Sequence, residues 1–265
     1  MPCEPTRLSV IRTVHSGAGT PRLARVALRL FLCFSATGME TTLHRQLKSH
    51  YARPGARIEE RIGRYRIDVV YRGELIEIQH SSLSAFRDKI AALLAEHRVR
   101  IVKPIVASKY LLKQKCEGGE LVSRRRSPKQ GTLLDIFDEL VHFTRVFPHP
   151  RLVLEVVLID IEELRFPGHG RRRRWRKNDH EVEDQRLVEV LSVTRFRTAA
   201  DLCKLLPPKL PRQFHTGHIA AGLGVQRWIA QRMAYCLRET GAITPVGKER
   251  GAWLYKRTAK RRAAA

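Results

Sequence analysis

No stretch of the 265 residues comes near the ~20 consecutive apolar positions that a membrane-spanning helix needs, so a protein embedded in a bilayer is not expected. Cysteine is also scarce. Cys3, Cys33, Cys116, Cys203 and Cys236 are scattered without Cys-x-x-Cys spacing, which argues against a zinc or disulfide framework and for reduced thiols inside a cell. The most telling shortage is of acid: 26 Asp and Glu face 50 Lys and Arg, a formal charge of +24. A chain so short of negative charge is suited to polyanions, nucleic acid foremost.

The imbalance is uneven. Residues 166–265 hold 22 Lys and Arg against 8 Asp and Glu, a net of +14, whereas residues 39–165 hold 23 against 17. Residues 1–38 carry five arginines and one acid, Glu4, with a short apolar patch at Leu30-Phe31-Leu32-Cys33-Phe34. The patch superficially resembles a targeting signal, but Arg29 immediately before it argues against one. The expectation for 1–38 is a flexible extension, with Met39 as an alternative start.

From Met39 the pattern becomes regular. A helix is expected over 40–51, then extended segments near 56–62, 65–71 and 74–79. Next comes a helix over 84–97, with Ser84 as N-cap and Phe86, Ile90, Leu93 and Leu94 at helical spacing. A strand over 99–107 follows, in which Pro104 argues for an edge or a bulge. A basic loop at Arg124-Arg125-Arg126, a helix near 132–143 and an apolar strand near 152–161 complete this part. The fold class is therefore α/β, an αβββαβ core with a mixed sheet over 39–165.

The two middle segments carry the chemistry. Arg72-Gly73 supplies a two-residue turn, so Tyr71 should pair with Glu74 and Asp68 should fall opposite Glu77. Counting by the strand period puts Asp68, Glu77, Arg66, Gln79, Val70 and Leu75 on one face and Ile67, Val69, Ile76 and Ile78 on the other. Like charges opposed across a ladder are unfavourable. A hard divalent cation would remove the objection by taking both carboxylates.

Phe166-Pro167-Gly168-His169-Gly170 and the run Arg171-Arg172-Arg173-Arg174-Trp175-Arg176-Lys177 read as a solvated, Arg-rich linker over 166–184 that contacts phosphates. Helices are expected over 185–194, 198–206, 216–222 and 225–240, with Gly222-Leu223-Gly224 as a turn. A hairpin over 242–255, turning at Lys248-Glu249-Arg250-Gly251, follows them. This is the order of a winged helix-turn-helix over 185–258, followed by a basic tail, 259–265. Ile229, Met233, Cys236 and Leu237 form the apolar face of the long helix. Gln226, Arg227, Gln231 and Arg238, with Lys248 and Arg250 of the wing, are left to reach nucleic acid. Trp228, Trp253 and Tyr255 are expected to pack. His215 and His218 have no third ligand and read as a pair at a helix start rather than a metal site.

The αβββαβ order, with Asp68 on the second strand and Glu77-Ile78-Gln79 on the third, resembles the PD-(D/E)XK nuclease superfamily over about residues 40–107. The run Glu77-Ile78-Gln79-His80-Ser81 before a helix looks most like the nuclease segment of the competence protein CoiA. The resemblance implies that Asp68 and Glu77, aided by the Ile78 carbonyl, bind Mg²⁺ or Mn²⁺, and that Glu40 matches the helical acid of many members. Glu59 and Glu60 are rival third acids. Gln79 stands where the commonest pattern has lysine, and Lys89 on the following helix is the candidate for the displaced cation, ahead of Arg87. The implied function is a metal-dependent DNA endonuclease in the cytoplasm, associated with the nucleoid. A homodimer would supply the two active sites that cutting both strands needs. The alternatives are a DNA-binding regulator on an inactive nuclease fold, for which Gln79 is the best support, and an RNA-binding protein.

Overall fold

Thr41 opens the first helix by accepting the His44 N–H on its hydroxyl. In the computed structural model, which describes residues 40–168 and 179–258, that helix, α1, covers Thr42–Tyr51 and buries Leu43, Leu47 and Tyr51, one turn apart. Three strands follow: β1 (Arg57–Ile62), β2 (Tyr65–Tyr71) and β3 (Glu74–Ile78). The β2–β3 register is the expected one, with Tyr71 opposite Glu74 across a turn in which Arg72 and Gly73 hold φ of 48° and 75°. A 3₁₀ turn at Leu83–Phe86 runs into α2 (Arg87–Leu94), which buries Ile90, Leu93 and Leu94. The cap there is Ser82 rather than Ser84: the Ser82 hydroxyl accepts the Ser84 N–H at 3.3 Å.

The next strand is longer than its apolar run suggests. Strand β4 (Arg98–Gln114) pairs with β3 in parallel, and its far half takes β5 (Leu121–Arg126) antiparallel. The basic loop expected at Arg124-Arg125-Arg126 is thus a strand. An edge strand exposes its side chains and still satisfies its backbone, and Arg124 lies 3.9 Å over the Tyr110 ring of β4. A 3₁₀ turn at Leu133–Asp135 leads into a short α3 (Ile136–Leu140). Strand β6 (Leu152–Pro167) lies parallel to β4 on its other side, and β7 (His180–Phe196) runs antiparallel to β6.

Strand β7 corrects two expectations. The linker expected over 180–184 and the helix expected over 185–194 both lie in β7, which pairs with β6 through three register shifts that leave Glu183, Val188 and Leu191 out of register. The segment is rich in β-branched residues, Val188, Val190, Val193 and Thr194, and the free edge of β6 outweighs a weak helical pattern. Helix α1 also holds it in place. Gln46 accepts the Leu187 N–H at 2.7 Å, and Asp184 accepts the Thr42 N–H at 2.9 Å.

The sheet order is β1-β2-β3-β4-β6-β7, with β5 beside the far half of β4. The fold class is α/β, with a mixed seven-stranded sheet in αβββαβ order and a small C-terminal helical and hairpin module. Pro104 sits in the central strand β4, opposite Val157. It is tolerated because β3 ends at Ile78, opposite Val102, whose carbonyl takes the Gln79 N–H. Two residues on, the proline nitrogen points past the end of β3, so β4 is locally an edge on that side.

Helix α1 covers one face, where Leu43 and Leu47 meet Val69, Ile76, Ile78, Val102 and Val157. Helices α2 and α3 cover the other, together with the C-terminal module: α4 (Ala199–Leu202), α5 (Thr216–Leu223), α6 (Arg227–Glu239), β8 (Ile243–Glu249) and β9 (Ala252–Arg257). Gly224, at φ 64°, ends α5 and makes the turn into α6. Phe214 makes an isolated antiparallel bridge to Tyr255 beside the β8–β9 hairpin. The module and the sheet share a core in which Phe137 and Phe143 join Phe196, Leu202, Met233, Cys236 and Leu237. Arg232 pairs with Asp138 of α3 across this contact. Among the described residues no helix is long and apolar enough to cross a membrane.

Candidate active site

The β2–β3 ladder stops one step before the two acids. Its last pair is Val69 with Ile76. Beyond it the Ile78 N–H goes not to a carbonyl of β2 but to Asp68 Oδ2, at 2.8 Å. On the other flank of β2 the pairs run Ile58–Val69 and Glu60–Ile67, skipping Asp68 and Glu59, and Glu59 holds φ 57°. An acidic residue in the left-handed region is strained by an amount on the order of 1 kcal/mol or more, which the surrounding contacts must sustain. The twist re-aims the strand. Ile67 shares a core cluster with Val70 and Leu75, whereas Val69, Ile76 and Ile78 line the other face. Simple alternation placed Ile67 with Val69, and the irregularity at Asp68 is the reason it fails.

Helix α1 supplies the surroundings of Asp68. His44 Nε2 lies 3.2 Å from Asp68 Oδ1 and 3.6 Å from Glu40. Lys48 bridges Glu40 and Glu59, the latter at 2.6 Å, and Glu59 also takes Arg66. Burial opposes the Asp68 charge, but the His44 contact and the Ile78 N–H outweigh it and hold the carboxyl below its ordinary value. Of the rival third acids, Glu59 belongs to this network, whereas Glu60 pairs outward with Arg57 at 2.9 Å.

Helix α2 supplies the surroundings of Glu77. That carboxylate is only 2% exposed. Lys89 Nζ donates to its Oε1 at 2.8 Å and to the Arg66 carbonyl at 2.8 Å. Burial pushes Glu77 up to about 7, the Lys89 charge works against that rise, and the Asp68 charge adds to it. Arg87 stays at the surface beside Asp88, 3.4 Å away. The structure therefore brings Glu40, Asp68, Glu77 and Lys89 together with the Ile78 backbone.

Gln79 is turned away. It is 4% exposed, and its side-chain nitrogen donates to Ser81 Oγ at 2.6 Å and to the Ser82 carbonyl at 3.1 Å. It shapes the loop after β3 instead of reaching toward the acids. Lys103 of β4, which sequence reasoning passed over, pins the same loop from beneath. Its Nζ donates to the His80 and Ser81 carbonyls at 3.0 and 2.7 Å and pairs with Glu139 at 3.1 Å. A lysine inside the otherwise apolar run 101–107 was the available signal. The i, i+4, i+8 series Glu40, His44, Lys48 was another.

His80 was also passed over. Its ring lies 5.4 Å from that of His44, and its Nε2 is buried without a hydrogen-bond partner. Burial, then the His44 and Lys103 charges, lower it to about 4, so at neutral pH the ring is uncharged.

The adjoining Asp68 and Glu77 carboxylates are hard oxygen donors of the kind Mg²⁺ takes, one or two at a time with several waters retained. No group of three His, Cys, Asp or Glu is preassembled for a metal among the described residues.

Of the residues expected to meet nucleic acid, Arg171, Arg172, Arg173, Arg174, Arg176 and Lys177 lie outside the described residues. Arg227, Gln231 and Arg238 do converge. They line a groove of about 340 Å³ between α6 and the wing, together with Tyr235 and Trp253. Gln226 precedes α6 and accepts the Trp228 indole N–H at 2.5 Å. Lys248 lies 4.6 Å over the Trp253 ring, and Arg250 is exposed at the wing tip, at φ 46°. The packing expected of Trp228 and Trp253 does not occur. They are 49% and 47% exposed, Trp228 because α6 turns its opposite side to the core and Trp253 because it stands on the open face of β9, while Tyr255 is buried as expected. His215 and His218 stack at 3.9 Å and cap α5, the helix-start role expected of them.

Residues 41–197 match the family described as a domain of unknown function, DUF8091. A protein of Treponema pallidum (strain Nichols), described as an uncharacterized protein, is 32% identical over 223 residues, covering 83% of this chain and 86% of that one. No solved structure matches. The family match runs from α1 to the end of β7, taking in Asp68, Glu77 and Lys89 and ending before the C-terminal module, and by it the chain belongs to the DUF8091 family.

Proposed function

We propose that the chain is a Mg²⁺- or Mn²⁺-dependent DNA endonuclease with a PD-(D/E)XK-like core. The observation that carries the reading is the splayed end of β2 and β3, where Asp68 and Glu77 adjoin with Lys89 on the second acid. In this reading Asp68, Glu77 and the Ile78 carbonyl hold the metal, with Glu40 behind them. A metal bound there would polarise the scissile phosphate and lower the pKa of a bound water. Lys89 places a cation where charge develops on the phosphate, the role that Gln79 cannot take from its position in the loop. His44 keeps Asp68 ionised and in place. The groove of Arg227, Gln231 and Arg238 holds the nucleic acid, by phosphate contacts above all.

The second reading, a DNA-binding regulator on the same fold without activity, is favoured by the Gln79 amide being spent on its own loop. One assay separates the two. With Mg²⁺ the purified chain nicks plasmid or branched DNA, and Asp68→Asn or Glu77→Gln abolishes cleavage while DNA binding stays within about twofold. Cleavage that survives both substitutions overturns the first reading, and a parent chain that binds DNA but never cuts it selects the second.

A further inference from the structure

Past the C-terminal end of α1, a second cavity of about 460 Å³ opens between the β2–β3 turn, the start of β4 and the end of β7. Five guanidinium groups line it, those of Arg53, Arg72, Arg98, Arg100 and Arg195. Only two carboxylates do, and both are committed. Glu155, fully buried, takes the Tyr51 hydroxyl at 2.5 Å and Arg195 Nε at 2.5 Å, with Arg100 at 3.5 Å. Glu74 is paired with Arg100.

Three arginines remain. Arg53 and Arg98 have no side-chain hydrogen bond or ion pair among the described residues, and the Arg72 guanidinium lies 5.3 Å from the Tyr71 ring. Arg72 holds φ 48° in its turn, where asparagine or glycine would sit with less strain. Basic side chains are plentiful on this chain, but the groove beside α6 gathers only two arginines, Arg227 and Arg238. Here five converge on one hollow with no uncommitted carboxylate among the described residues that line it, an arrangement that a bound dianion relieves.

We propose that this cavity binds a phosphoryl dianion, carried by a free nucleotide or by the 5′ end of a strand, with Arg53, Arg72 and Arg98 as donors. The site is independent of Asp68 and Glu77, and the proposal stands whether or not the chain is a nuclease.

Calorimetry on the whole chain tests it with ATP, adenosine, and 5′-phosphorylated and 5′-hydroxyl tetranucleotides. An Arg53→Gln/Arg98→Gln variant is compared with an Arg125→Gln/Lys129→Gln control of equal charge. A phosphorylated probe should bind with unit stoichiometry and adenosine should not. Affinity should fall about tenfold or more in the first variant and stay within about twofold in the control. Saturable binding of ATP alone identifies a free nucleotide, and binding of the phosphorylated tetranucleotide alone identifies a strand end. Equal losses in both variants, or no saturable binding of either phosphorylated probe up to about 1 mM, overturn the proposal.

Discussion

Lys89 Nζ stands 2.8 Å from Glu77 Oε1, so a carboxylate buried in the sheet from one strand meets a cation delivered by the helix that follows it. The pair joins two layers of the fold at the point where β2 and β3 part. Glu77 retains a pKa of about 7 even with that partner.

Removing the partner should therefore act on protonation before stability. In Lys89→Met, Glu77 is expected to titrate above about 7, because burial then acts with less opposition. Mg²⁺-dependent cleavage should drop about a hundredfold or more, with its pH profile displaced to higher pH. The profile is the decisive readout, since a lysine that merely covers the surface would leave it unmoved.

Two buried groups should give opposing pH dependences of stability. Glu77, raised from an ordinary 4.5 to about 7, holds its proton more tightly when folded. Its contribution is full below 4.5 and is lost as pH rises through 7. His80, lowered from 6.5 to about 4, is neutral when folded. Its contribution is full above 6.5 and is lost as pH falls through 4. Each amounts to roughly 3 kcal/mol, so between pH 4.5 and 6.5 the two nearly cancel. Denaturation at several pH values should show stability rising with pH in Glu77→Gln and falling with pH in His80→Asn.

Asp68 does two separable things. Asp68→Asn keeps an oxygen able to accept the Ile78 N–H, whereas Asp68→Ala leaves that donor unpaired. The alanine variant should be less stable than the asparagine variant by about 1–2 kcal/mol, a few degrees in Tm. Both should lose metal-dependent cleavage, because neither carries the charge. Equal melting temperatures would show that the Ile78 bond contributes nothing.

Lys103→Met should loosen the loop that follows β3. The substitution strips partners from the His80 and Ser81 carbonyls and from Glu139, at a cost of about 3 kcal/mol. Hydrogen exchange should speed up at Leu83, whose N–H bonds Glu139. Protection on β6, away from the loop, should fall only by the global loss of stability.

Because Phe137 packs in the core shared by the sheet and the C-terminal helices, the two should unfold together. Phe137→Ala should lower the stability of that single transition by about 3–5 kcal/mol. Two separate transitions, with the sheet unaffected, would show that the module folds independently of it.

Much of the site could be read from residue order. The Arg72-Gly73 turn sets the register Tyr71–Glu74, and counting outward brings Asp68 near Glu77. Helical spacing from Ser84 onward puts Lys89 within reach. Local geometry decides all of these. The position of Gln79 could not be read this way, because its amide is claimed by Ser81 and Ser82, neighbours whose loop path has no periodicity to read. His44, His80 and Lys103 were passed over for a related reason: each matters only through a partner brought in by another element.

The sequence by itself determined the αβββαβ order, the helices followed by a hairpin in the C-terminal module, and the placing of two acids on adjoining strands, since these follow from turn chemistry and from periods of 2 and 3.6 residues. Tertiary structure alone decided that 185–194 is a strand, that β2 twists at Asp68, and that Phe137 and Met233 share a core. A free sheet edge, a buried charge seeking a partner and a common apolar core are long-range conditions, and no window of neighbouring residues contains them.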